Sequence, residues 1–166
     1  MKKNILYFFL LLSFYGRAQT LESLRKEYYK LDTDSAACAK LNAKLSKLIT
    51  SDNTIIGYKG AVSACMANHV KTRQQKIMFF NKGKEMLEQA ISTDTANTEL
   101  RFLRFTIQTG APKALGYNRQ ISNDKSFILK NAGTMKDAGL KRSIAEFMAQ
   151  SSYLTDGEKA KAKQIK

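Results

Sequence analysis

Apolar residues recur three and four positions apart along most of this chain, and the polar breaks between such stretches are short. That period marks one face of an α-helix, whereas a half-buried strand would alternate by two. Leu21, Leu24, Tyr28 and Leu31 follow it, with Thr20 placed to cap a helix running to about Lys30. Segments from Asp34 to Ile49, Thr54 to Val70, Thr72 to Ser92 and Ala96 to Thr109 continue it. Gly110-Ala111-Pro112 ends the last of these, because Gly terminates helices readily and Pro cannot extend them. The pattern returns over Ile121 to Gly133 and over Met135 to Met148. Thr155-Asp156-Gly157-Glu158 then reads as a capping box opening a final, lysine-ended helix. Short linkers favour antiparallel neighbours. The expected fold is therefore all-α, an irregular bundle of antiparallel helical hairpins built from about seven or eight short helices.

The first eighteen residues are laid out differently. Met1-Lys2-Lys3 is basic, Ile5 to Leu12 is an unbroken apolar run, and Gly16 and Ala18 are small residues before Gln19. This is the pattern of a secretory signal peptide cleaved between Ala18 and Gln19. The apolar run, about ten residues even when extended to Tyr15, falls short of the roughly 20 needed to cross a bilayer. The expectation is a signal peptide over 1–18 and a single exported domain over 19–166, periplasmic or secreted, with no transmembrane segment after cleavage. No cysteine lies near the cut to take a lipid.

Charge narrows the partners. The chain has 28 Lys and Arg against 14 acids, and losing Lys2, Lys3 and Arg17 would lower its formal charge from +14 to +11. So basic a chain ordinarily suggests nucleic acid, but export removes that partner. Outside the inner membrane the anions are lipid headgroups, glycan phosphates and acidic proteins. The cations are also spread: Lys40, Lys44 and Lys47 share one helical face, and Lys159, Lys161, Lys163 and Lys166 crowd the tail.

Cys38 lies fourteen residues before Asp52 and Cys65 thirteen after it, so an antiparallel hairpin puts the two at one level. Ala36, Ala37, Ala61 and Ala64 permit the approach of about 7 Å or less between Cα atoms that a disulfide needs. A structural Cys38–Cys65 disulfide is expected, with two buried thiols as the alternative. The spacing is not C-x-x-C, so no redox motif is implied.

Gly83-x3-Leu87-x2-Ala90-x4-Thr95 resembles the second helix of a tetratricopeptide repeat, which carries small, large apolar, alanine and proline residues at those offsets. Leu87 to Asp94 adds to the likeness, and the resemblance spans about Tyr58 to Thr95. Thr95 replaces the usual proline, the preceding helix has only Tyr58, Ala61, Val62 and Cys65 for the family pattern, and no second copy follows. The resemblance implies a TPR-like hairpin more than a repeat array. The stretch Glu99 to Ile128 is similar to small exported bacterial proteins of unassigned function, through Arg101-Phe102-Leu103-Arg104, Leu115-Gly116-Tyr117 and Asp124-Lys125. That similarity implies no mechanism.

Residues for catalysis are sparse. His69 is the one histidine, and Cys65 and His69 at i and i+4 could share a helical face. One His and two Cys fall short of the four ligands of a closed structural zinc site, so no metal or other cofactor is expected. Gly57, Gly60 and Gly83 are isolated within helices and form no phosphate loop, and Glu85 and Glu88 read as solvated glutamates. One polar constellation remains. Arg101, Arg104 and Gln108 form a stripe on a helix whose other positions are apolar, so the arginines need partners. Asp124 and Glu99 are the candidates, with an Arg104–Asp124 salt bridge as the structural reading. In the functional reading, Arg101, Arg104, Gln108 and Tyr117 receive a partner's carboxylate or phosphate. The expectation overall is a non-catalytic exported protein that binds a protein or peptide. The alternatives are a binder of anionic envelope components and, third, an enzyme with an unrecognised site.

Overall fold

Short polar side chains start nearly every helix of this protein. The computed structural model describes residues 21–29, 31 and 34–165; the expected signal segment and the Ala18–Gln19 cleavage site lie outside them. After α1 (21–28), Asp34 caps α2 (Ser35–Ser46) by accepting from the Ala36 and Ala37 amides. Asp52 caps α3 (Asn53–Met66) through Thr54 and Ile55. Thr72 and Gln75 form a reciprocal box at the start of α4 (Arg73–Thr93), and Asn97 accepts from Leu100 at α5 (Thr98–Gly110). Among the described residues no side chain caps α6 (Ile121–Asn131), whereas Asp137 accepts from Leu140 at α7 (Ala138–Gln150). Thr155 and Glu158 make a second box on α8 (Asp156–Ala162). Each such side chain satisfies an amide the helix leaves open and is worth about 1 kcal/mol. The result is all-α, with eight helices and no strand among the described residues. None of these helices is long and apolar enough to cross a membrane.

Two helix ends differ from the periodicity. The pattern carries to Ile49, but α2 stops at Ser46 and leaves Ile49 98% exposed. Lys59 on α3 donates to the Leu48 carbonyl at 2.8 Å, holding the chain as it leaves the helix. Past Met66, the amides of Asn68 and His69 bond to the carbonyls of Cys65 and Met66, a tighter winding than the α-helix expected to Val70.

α3 is central, with buried residues around its circumference rather than on one stripe. It packs on α2, α4 and α5, most extensively on α4. The α3–α4 contact depends on glycine. A Cβ on Gly60 would stand 2.7 Å from the Gly83 carbonyl oxygen and 2.8 Å from the Leu87 nitrogen. A Cβ on Gly83 would run into the backbone of Gly60 and Ala64. The two helices therefore touch backbone to backbone, and the Ser63 hydroxyl donates across to the Phe79 carbonyl at 3.3 Å.

Two hydrophobic cores share α5. Leu100 and Leu103 close the first, with Leu24, Leu41, Tyr58, Val62, Leu87 and Ile91 from α1 to α4. Phe102 and Phe105 close the second, with Ile128, Leu140, Ile144 and Met148 from α6 and α7. Buried on both sides, α5 has only a narrow strip for its polar residues.

Gly83→Val should destabilise the protein by at least the roughly 1–3 kcal/mol of an overpacked core, because backbone cannot move aside as a side chain can. Urea unfolding of the variant and of Gly110→Ala checks this. Gly110 has nothing within 4 Å of an added Cβ and should tolerate the change.

Candidate functional site

The strip on α5 folds into an ion-pair network. The buried Arg104 donates from Nε to Asp124 Oδ2 at 2.6 Å and from Nη2 to Oδ1 at 2.7 Å, a two-pronged clasp. Its Nη1 donates to Glu88 Oε2 at 2.7 Å. Tyr117 donates its hydroxyl to the other Glu88 oxygen at 2.5 Å. Arg101 reaches Asp124 Oδ1 at 3.2 Å and the Thr95 carbonyl at 3.3 Å, and lies 5.1 Å from the Phe127 ring centroid. Three of the four residues read as a binding groove, Arg101, Arg104 and Tyr117, are thus brought together around Glu88 and Asp124. Gln108 is buried at 2% exposure, and its Oε1 and the Nε of Arg101 have no hydrogen-bond partner among the described residues.

Asp124 is fully buried near the start of α6. Burial alone would lower the Arg104 pKa, but the bonds and charges of Asp124 and Glu88 outweigh it and raise it above the ordinary arginine range. The Tyr117 phenol is pushed up by burial and by Glu88.

Glu99 belongs to a different network. Arg25 on α1 grips it with Nε and Nη2, at 2.7 and 2.6 Å, while Tyr58 on α3 donates to Oε1 at 2.7 Å. The remaining arm of Arg25 reaches Asp137 Oδ2 at 2.6 Å, and the other oxygen of Asp137 caps α7. Four helices are tied by one guanidinium and two carboxylates. Glu99 thus pairs with Arg25 of α1 rather than, as the sequence suggests, with the arginines of its own helix. The available signal was Glu99's place in the first turn of a helix apolar on both sides, where a buried acid requires a cation.

Beside Arg25, α1 and α7 leave an open cleft of about 340 Å³ lined by Glu22, Arg25, Lys26, Tyr29, Asp137, Gly139, Leu140 and Ser143. Tyr29 and the buried Leu140 supply its apolar surface, and the charged residues are already engaged: Lys26 with Glu22, and Arg25 with Glu99 and Asp137. Burial, foremost, raises the phenol pKa of both Tyr29 and Tyr58.

The hairpin brings Cys38 and Cys65 level, but the expected disulfide is absent. No S–S bond joins them, and the two side chains hydrogen-bond to each other instead. Their sulfurs and a His69 ring nitrogen all lie within 4.8 Å of one another, so the thiols meet each other and an imidazole without an S–S bond. A hydrogen bond with Cys65, then burial, raises the Cys38 pKa. Among the described residues this is the group of side chains able to hold a metal ion.

Comparison with known proteins finds no matching family model, no matching curated protein and no matching solved structure.

Asp124→Asn should cost about 3–5 kcal/mol, since it removes the fully buried partner of Arg104 and leaves that cation only the part-exposed Glu88, whereas Glu88→Gln, at a side chain 38% exposed, should cost under about 1 kcal/mol. Chemical denaturation of both variants separates these values. Alkaline pH provides a second check through Tyr29, Tyr58 and Tyr117, whose phenols bind protons more tightly folded than unfolded. Stability should hold below the unfolded phenol pKa of about 10 and fall as pH rises beyond it. Urea midpoints from about pH 8 to 11 should show that decline, with a shallower slope for Tyr58→Phe.

Proposed function

We propose that this chain is an exported, non-catalytic helical module that binds a segment of another protein in the cleft between α1 and α7. The cleft carries the reading. It joins an apolar floor at Tyr29 and Leu140 to a charged rim, and is large enough for one large apolar side chain of a partner. The arginines of α5 are turned inward to Asp124 and Glu88, which favours a structural role for them over an anion groove. The α3–α4 pair serves as a TPR-like hairpin, and the leader over 1–18 supplies the address in the cell envelope. A second reading rests on Lys40, Lys47, Lys161 and Lys163, all exposed, as contacts for lipid or glycan phosphates.

The test is affinity capture of the tagged mature protein from its native envelope fraction, washed at about 0.05 and then 0.5 M salt. A discrete protein retained at high salt by the wild type and lost from Ser143→Trp, which fills the cleft, is the expected result. Equal retention by Ser143→Trp would overturn the cleft. Capture of lipid or glycan alone, lost at high salt, would support the lysine surface.

A further inference from the structure

The cysteine–histidine cluster lies apart from the cleft and does not depend on its role. We propose that Cys38, Cys65 and His69 form a binding site for one thiophilic d10 cation, Zn²⁺ or Cu⁺. The three donors come from two helices and the turn after α3, and all lie within 4.8 Å of one another. Ligands about 2.0–2.3 Å from a zinc ion stand about 3.5–4 Å apart, so side-chain rotation of roughly 1 Å completes the contraction.

The donor chemistry is selective. Two thiolates and an imidazole suit soft and borderline ions, and lack the oxygens that hard cations require. Binding releases both thiol protons to solvent and forms two metal–sulfur bonds and one metal–nitrogen bond. With Zn²⁺ the two thiolates cancel the charge of the ion, which suits a site where Cys38 is fully buried. Cys65 and His69 are half-buried, so the ion enters from their side and a fourth zinc position opens to water. Three-coordinate Cu⁺ needs no fourth ligand. The bound ion links α2 to α3 at the position where the sequence suggests a disulfide.

Titration of freshly reduced, anaerobic full-length mature protein with Co²⁺ tests the zinc arm. The expected result is a near-ultraviolet sulfur-to-cobalt charge-transfer band saturating at one equivalent, with Zn²⁺ displacing it and raising the melting temperature. Cu⁺, delivered from a competing chelator, tests the other arm. Tight Cu⁺ binding without the cobalt band would assign the site to copper. His69→Ala leaves the hairpin core intact and should weaken binding by more than the 10–100-fold typical of losing an outer-shell partner. Cys65→Ser should abolish the band. Absence of both cobalt and copper binding in reduced protein, or binding unchanged in His69→Ala and Cys65→Ser, would overturn the site.

Discussion

The backbone contact between α3 and α4 is the constraint on which the remaining packing rests. Gly60, Ala64 and Gly83 remove side chains where the two helices meet, so their axes come closer than ordinary apolar side chains allow. Leu87 and Ala90 on α4 and Val62 on α3 are then all buried. Because α3 is so tightly backed on one side, its other faces are left for α2 and α5. That order explains why a helix with little amphipathic character sits at the centre: past its first turn, few of its positions face water.

α5 extends this nucleus to the second half of the protein. Its leucines face one core and its phenylalanines the other. A helix in that position buries Arg104 and Glu99, and each of these charges takes an internal partner. Asp124 secures Arg104 from α6, and Arg25 secures Glu99 from α1. These pairs are not evidence of high stability, since desolvating both charges offsets much of their attraction. Their effect is on geometry. Two-pronged arginine contacts accept one orientation of a carboxylate and thus set how α1 and α6 dock on α5.

Much of the local structure was legible in the residues. Thr72 and Thr155 announce helix starts because capping is a local event, decided within four residues. Nearly equal spacing of Cys38 and Cys65 from Asp52 placed them at one level because rise per residue is constant. The need of Arg104 for Asp124 followed from burial on two sides. The choice of Glu99 for Arg25 did not, since it depends on α1 crossing α5, a contact between residues 74 apart in sequence. The cleft beside Leu140 was hidden for the same reason. The cysteines show the limit most clearly: level is a property of one hairpin, but bonding depends on where the side chains point and on His69 entering from the turn.

The amino-acid sequence by itself determined the helices, their caps, the apolar faces and the glycines that permit close approach, because each is set by neighbours a turn or two away. Only the tertiary structure decided that Glu99 meets Arg25, where a cleft remains, and that two sulfurs and an imidazole converge. Those outcomes depend on the relative placement of whole helices, which depends on volumes and distances summed over the entire core. No local pattern carries that sum.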